Sequence, residues 1–424
     1  MSNKIHPIFE LSHCKAYRLP CGLRVIISPD DSPVLYAGYI IAAGSSQDSS
    51  RYYGLAHFAE HMLFKGTPLR SAKQIINRVE EVGADFNAYT TKEETFIYSA
   101  FHALHFKRVI QILTDVVLHS RAPEDELQKE KGVIIEEINS YKDSPSDLIF
   151  DEFENILFRG IPIGHNILGT EESVTRISQR NIADFYRKYY RPERMALCIK
   201  GQVDETYLFD FLSHHFANER IYFTAREPLT YQGNISLHPL PEKRTISHRY
   251  ETYQVHRIIG CSAYSLHHSN RHSLLLLNNI LGGRGMNSRL NLHLREDKGL
   301  VYTVESIFTP MLVAGFLAIY FGAKKEHLSD ATASVYNELQ RLRDEMITDK
   351  ELRAARRQLI GQIIVQDDNR ETEFLEMGKS FLFFNRYNTI KDIEKKIETI
   401  TPEDLRRVAC ELLTPERMLT LTYL

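Results

Sequence analysis

Long apolar runs are missing from this chain. No stretch of 18 or more apolar residues occurs in its 424 positions, so the sequence offers no membrane-spanning helix. A dominant charge sign is missing too. The 52 basic and 55 acidic side chains leave a net charge of −3, with no basic tract, which points away from nucleic acid and from an anionic membrane. Cysteine is scarce: five residues, at positions 14, 21, 198, 261 and 410, are odd in number, scattered and without a C-x-x-C pair. That excludes a disulfide framework and predicts reduced, mostly buried thiols. Tryptophan is absent, which decides nothing about function. The opening Met1-Ser-Asn-Lys-Ile-His-Pro lacks a charged-then-apolar signal pattern, so a soluble cytoplasmic protein is expected. What is present, 43% hydrophobic and 25% charged residues, is the make-up of a globular protein too long for one core.

Five residues carry the first chemical signal. His57-Phe58-Ala59-Glu60-His61 reads H-x-x-E-H, the inverted form of the zinc-protease helix motif. Histidines four apart stack one helical turn above the other. Both rings can then reach one zinc ion at about 2.0–2.1 Å. Glu60 points towards the same site and can take a proton from water there. Gly54 and Leu55 lead into the helix and Gly66 can end it. A helix with two histidines salt-bridged to a glutamate is the alternative that five residues leave open.

The chain is written twice. Ile177-Ser178-Gln179-Arg180-Asn181-Ile182 precedes Tyr190-Arg191-Pro192-Glu193-Arg194-Met195, and Ile400-Thr401-Pro402-Glu403-Asp404-Leu405 precedes Leu413-Thr414-Pro415-Glu416-Arg417-Met418. Each copy reads as an N-cap, a short helix and a Pro-Glu-Arg-Met turn into an apolar strand (196–199 and 419–423). Upstream, predicted helices 72–82 and 288–298 end at Gly83 and Gly299. Each is followed by two strands (85–91 and 94–101; 300–308 and 313–322) and an amphipathic helix (105–119; 328–346). Glu126-Leu127 and Glu351-Leu352 open the next helix in each half. The pattern predicts an α+β protein of two homologous domains, 1–215 and 246–424. A linker over 216–245 is punctuated by Pro228, Gly233, Pro239 and Pro241.

A catalytic zinc keeps three protein ligands and one open position. The helix beginning near Glu124 supplies a third. Its inward stripe is Leu127, Glu130, Ile134, Glu137 and Tyr141, with Ile138 alongside, whereas Glu136 lies about 100° away on a solvated face. Two carboxylates on an apolar stripe are costly unless their burial is compensated, and a metal compensates it. Periodicity therefore prefers Glu137 as ligand and puts Glu130 where it can orient a site histidine. A carboxylate pair bonded to backbone or arginine is the alternative. The second half places Leu274, Leu277 and Asn278 opposite His57, Glu60 and His61, and Ala355 and Gln362 opposite Glu130 and Glu137. The scaffold persists there without the metal residues, so the fold does not demand them.

With these residues in place the chain resembles the pitrilysin family of zinc metallopeptidases, which includes insulysin and the mitochondrial processing peptidase. His57-x-x-Glu60-His61 and Glu137 have the family spacing, and Glu130 falls on its additional acidic position. Gly83-Ala84-Asp85-Phe86-Asn87-Ala88-Tyr89-Thr90 looks like the family's substrate-pairing strand. Leu281-Gly282-Gly283-Arg284-Gly285-Met286-Asn287-Ser288-Arg289-Leu290 is similar to its glycine-containing turn. Arg295 and Tyr302 match its Arg/Tyr pair. The resemblance implies domains built of mainly antiparallel sheets covered by helices, paired into a clam-shell chamber by dimerisation, as in short bacterial-type members. A homodimer is expected, with a related partner subunit also open.

The resemblance further implies a zinc endopeptidase with one Zn²⁺ per chain and Glu60 as base. A peptide would be held as an added strand near Asn87, Ala88 and Thr90. Arg295 and Tyr302 would steady the oxyanion, and the four-domain arrangement implies that they act on the partner chain's zinc. From residues alone, Asn87 is equally a turn asparagine, and Arg295 and Tyr302 a helix-end charge and a strand aromatic. A catalytically silent scaffold or partner subunit of the same fold is the non-enzyme alternative.

Overall fold

A computed structural model describes residues 5–11, 13–216, 242, 244–250 and 252–424. The expected linker 216–245 falls almost wholly outside these residues. The chain forms two compact units. The first takes Met1–Ile138, Asn166–Thr230 and Asp367–Tyr387, and the second Asn139–His165, Tyr231–Gln366 and Asn388–Leu424.

The first unit is built on seven strands: β1 (His6–Glu10), β2 (Lys15–Arg18), β3 (Arg24–Ser28), β4 (Val34–Ile41), β5 (Asp85–Thr90), β6 (Thr95–His102) and β7 (Met195–Lys200). They pair in the order β1-β2-β3-β7-β4-β6-β5, antiparallel except for β3 and β7. β3 and β7 are buried at every position, the apolar runs 25–27 and 195–199 in the interior and Arg24 and Lys200 at their ends held by polar partners. Alternation sends Val25, Tyr39, Ile97 and Leu197 into a core shared with helices Leu55–Met62 and Phe106–His119. The other face carries Phe96 and Cys198 and is covered by helix Arg370–Phe384. Phe374 lies 5.3 Å from Phe96, and Gly378 fits against both Phe96 and Cys198. Lys200 reaches Glu373 at 2.6 Å, and Arg24 donates to Leu382 O and Asn385 Oδ1 at 3.0 and 2.7 Å, which pins both ends of that helix.

The second unit repeats the plan with β8 (Thr245–His248), β9 (Val255–Ala263), β10 (Val301–Pro310), β11 (Gly315–Ala323) and β12 (Leu419–Tyr423). Their order, β10-β11-β9-β12-β8, matches β5-β6-β4-β7-β3 strand for strand, and the single parallel pair, β8 with β12, holds the same place. One face packs on helices Arg271–Gly282, Leu328–Asp344 and Pro402–Leu412. The other takes Phe316, Ala318, Leu419 and Tyr423 against Phe153 and Leu157 of helix Pro145–Leu157. Each fully buried phenylalanine contributes about 1.5–3 kcal/mol.

The two covering helices have changed places. Arg370–Phe384, from the end of the chain, closes the sheet made by the first half. Pro145–Leu157, from the first half, closes the sheet made by the second. Within each unit the expected elements recur with small shifts: Ala72–Glu80 for 72–82, Phe106–His119 for 105–119 and Leu328–Asp344 for 328–346. Gly83 and Gly299 both adopt positive φ, 65° and 58°, as C-terminal stops. The expected helix 288–298 differs: over Asn291–Glu296 it widens into a π-helix, where Arg289 and His293 converge on the buried carboxylate of Glu338. Four of the five cysteines are buried, all five are unbridged, and among the described residues no helix is long and apolar enough to cross a membrane.

Candidate metal centre

The helix Leu55–Met62 buries Ala56, Phe58, Ala59 and Met62 in the first unit's core and turns His57, Glu60 and His61 to one side. Its start is set by Gly54, at φ 91°, where an added Cβ would lie 2.4 Å from Leu168 O. The two carboxylate oxygens of Asp48 accept from Gly54 N–H and Ala56 N–H, both at 2.9 Å, and satisfy the first free donors of the helix. Asp48 was not found from the sequence, because a cap seven residues before the helix fits no N-cap spacing. Leu63–Lys65 tightens to a 3₁₀ turn and Gly66, at φ 135°, ends it.

Helix Glu124–Lys142 brings the third group. Leu127, Glu130, Ile134 and Ile138 are buried, Glu136 is exposed and Glu137 is half-buried, so the structure follows the stripe in choosing Glu137 over its neighbour. Tyr141, at the end of that stripe, departs from it and lies exposed. Glu137 Oε2 stands 3.8 Å from His57 Nε2 and 3.7 Å from His61 Nε2, and the three donor atoms all lie within 4.8 Å of one another. Ligands about 2.0–2.2 Å from a tetrahedral ion sit roughly 3.4 Å apart, so two imidazoles and a carboxylate at these separations fit zinc. Among the described residues no other cluster of three such groups forms.

Electrostatics favour the same arrangement. Burial, with His61 beside it, pushes the His57 pKa down to about 3, so the imidazole is neutral and keeps a lone pair for a metal. Glu130 accepts from His61 Nδ1 at 3.1 Å and pairs with Lys65 at 2.5 Å, on the side of the histidine away from Glu137. Burial raises the Glu60 pKa, with Glu137 acting the same way and Thr90 and His61 opposing. Glu60 is thus a stronger base than a solvated carboxylate.

Strand β5 is the edge of the first sheet, next to the site. Thr91 N–H donates to Glu94 O at 2.8 Å, and antiparallel alternation from that pair aims the backbone groups of Phe86, Ala88 and Thr90 at the open side. Asn87 is exposed. Thr90, expected at the substrate, spends its hydroxyl on Glu60 Oε2 at 2.8 Å.

Arg295 and Tyr302 belong to the second unit. Both side chains are exposed, Arg295 beside Glu296 at 3.8 Å, and Tyr302 stands 47% exposed near the start of β10. In this unit Leu274 and Leu277 are core residues. Asn278 exchanges hydrogen bonds with Ser306, donating to its backbone oxygen at 3.0 Å and accepting from its hydroxyl at 2.6 Å. The positions opposite the metal residues are therefore packed shut.

Two family models match the chain. One, described as insulinase (peptidase family M16), covers residues 24–171; the other, described as peptidase M16 inactive domain, covers 176–359. A Bacillus subtilis protein named an uncharacterized zinc protease is 29% identical over 412 residues, 96% of this chain and 97% of its own. A Mycobacterium tuberculosis protein with the same description is 30% identical over 400 residues, 93% of this chain and 90% of its own. The crystal structure of a protease from Helicobacter pylori superposes with a TM-score of 0.85 at 19% identity, over 100% of both chains. That likeness speaks for the fold.

Proposed function

This chain belongs to peptidase family M16, the pitrilysin family, and from that premise we propose that it is a zinc-dependent endopeptidase acting on short or unfolded peptides. The observation that carries the reading is the convergence of His57 Nε2, His61 Nε2 and Glu137 Oε2 beside a half-buried Glu60 whose pKa is raised. His57, His61 and Glu137 would hold one zinc ion per chain. Bound there, zinc supplies Lewis acidity, bringing the pKa of water towards about 7 and polarising a carbonyl. Glu60, tethered through Oε2 to Thr90, accepts the proton of the attacking water at Oε1 and returns it to the leaving amine. The open edge of β5 takes the peptide as an extra strand through the backbone of Phe86, Ala88 and Thr90, with Asn87 alongside. Main-chain pairing of this kind asks little of substrate side chains and suits unfolded segments. Arg295 and Tyr302 steady the oxyanion from the partner chain of a dimer.

The description "inactive domain" covers residues 176–359, beyond Glu137, and so falls on the half without the metal residues. It does not favour a silent scaffold. The test is a peptide-library digest by wild type and Glu60→Gln, with zinc content measured on both. Wild type should cleave, lose cleavage to a chelator and carry about one zinc. Glu60→Gln should keep the zinc and lose the 10²–10⁴ in rate typical of a general base. Near wild-type cleavage by Glu60→Gln would overturn the assignment.

A further inference from the structure

His57, His61 and Lys65 are spaced four apart, so the turn that continues the metal helix carries Lys65 onto the face of the two histidines. Its ammonium lies 2.5 Å from Glu130 Oε1. The other oxygen, Oε2, lies 3.1 Å from His61 Nδ1, and the far nitrogen of that ring, Nε2, faces Glu137. Glu130 is only 7% exposed. A carboxylate that deep is costly unless both charge and lone pairs are answered, and these two contacts answer them, one on each oxygen.

We propose that Lys65 is a positioning residue for the metal centre. By holding one oxygen of Glu130, it aims the other at His61 Nδ1, keeping that N–H in place and the lone pair on Nε2 turned to the ion. The proposal rests on the zinc reading above. An exposed lysine–glutamate pair contributes little, but this one is anchored on a buried carboxylate that has a second task. The metal helix thus brings two ligands and, one turn on, the counter-charge for the group that orients the second of them.

Partners that orient a ligand typically change metal affinity 10–100-fold. Lys65 stands one contact further out, so Lys65→Met should weaken zinc binding about tenfold, with Lys65→Arg restoring most of it. The measurement is the zinc dissociation constant at fixed pH, by competition with a chromophoric chelator, for wild type, both lysine variants, Glu130→Gln and the Lys65→Met/Glu130→Gln double variant. If Lys65 acts through Glu130, the double variant binds no more weakly than Glu130→Gln alone. A merely structural lysine would lower the melting temperature and leave this coupling at zero. Wild-type affinity in Lys65→Met, or losses that multiply in the double variant, would overturn this proposal alone. Absence of zinc binding by wild type would overturn the zinc reading and this proposal with it. Lys65→Gln takes the place of Lys65→Met if the latter does not melt cooperatively.

Discussion

Thr90 donates its hydroxyl hydrogen to Glu60 Oε2 at 2.8 Å, so the last residue of the open-edged strand also fixes the orientation of the proposed base. In the proposed mechanism, substrate pairing and proton transfer would share one anchor. Thr90→Val should lower kcat about tenfold, the worth of a hydrogen bond to a charged group, while zinc content stays at the wild-type value. A drop in zinc with unchanged turnover per metal would assign Thr90 to the metal instead.

If the Arg295/Tyr302 pair serves the partner chain, two defective chains can repair each other. Glu60→Gln and Tyr302→Phe proteins, each nearly inactive, would be mixed in equal amounts and allowed to exchange subunits. Random pairing then regains roughly a quarter of wild-type activity, because each mixed dimer holds one intact site. No recovery after verified exchange counts against action in trans.

Two glycines inside helices should respond to alanine with opposite signs. Helix propensity alone favours alanine by up to about 1 kcal/mol at either. Gly132 has nothing within 4 Å of a new Cβ, and Gly132→Ala should raise the melting temperature. At Gly378 the new Cβ would sit 2.8 and 2.9 Å from the Phe96 ring and 3.2 Å from Cys198 Sγ, both buried. Overpacking of about 1–3 kcal/mol exceeds the propensity gain, so Gly378→Ala should melt lower. Equal shifts in the two variants would show that the helix over Phe96 is not tightly seated.

Asp30 offers a pH test away from the metal. Burial works against its ionisation, but Arg370 at 2.7 Å, the Ser32 amide and Lys200 outweigh it and hold the carboxyl below its usual range. A depressed folded pKa means that the contribution is complete above the unfolded value of about 3.9 and is lost as pH falls through the folded one. The pair is half-buried but still reached by solvent, so the effect is about 1 kcal/mol. Melting of the metal-free chain should fall less steeply below pH 4 in Asp30→Asn than in wild type. Parallel slopes would remove Asp30 from the account.

The cluster of His57, His61 and Glu137, with Glu130 behind it, was legible because its information is local. His57 and His61 are one helical turn apart, and Glu130 and Glu137 are two turns apart on one stripe, so periodicity alone aligns them. The repeat was legible from its Pro-Glu-Arg-Met turns and from glycines whose positive φ the structure bears out. Asp48 was not, since no spacing rule singles out its contact with the helix start, and the four-residue spacing of Lys65 from His61 gives no hint of its contact with Glu130. Nor was the exchange of helices. Phe374 and Phe153 mark an apolar face equally well, but amphipathicity says only that a helix will be covered, not by which sheet.

That exchange makes the duplication irreversible. On paper the chain divides into two repeats that could be expressed apart. Cut at residue 230, however, the front fragment would keep a sheet with Phe96 and Cys198 laid bare, and the back fragment one with Phe316 and Tyr423 laid bare. Each would carry, as an internal amphipathic helix without its sheet, the helix the other lacks. Each half builds one core from its own residues, but the second face of its sheet is closed only by a helix that the other half supplies.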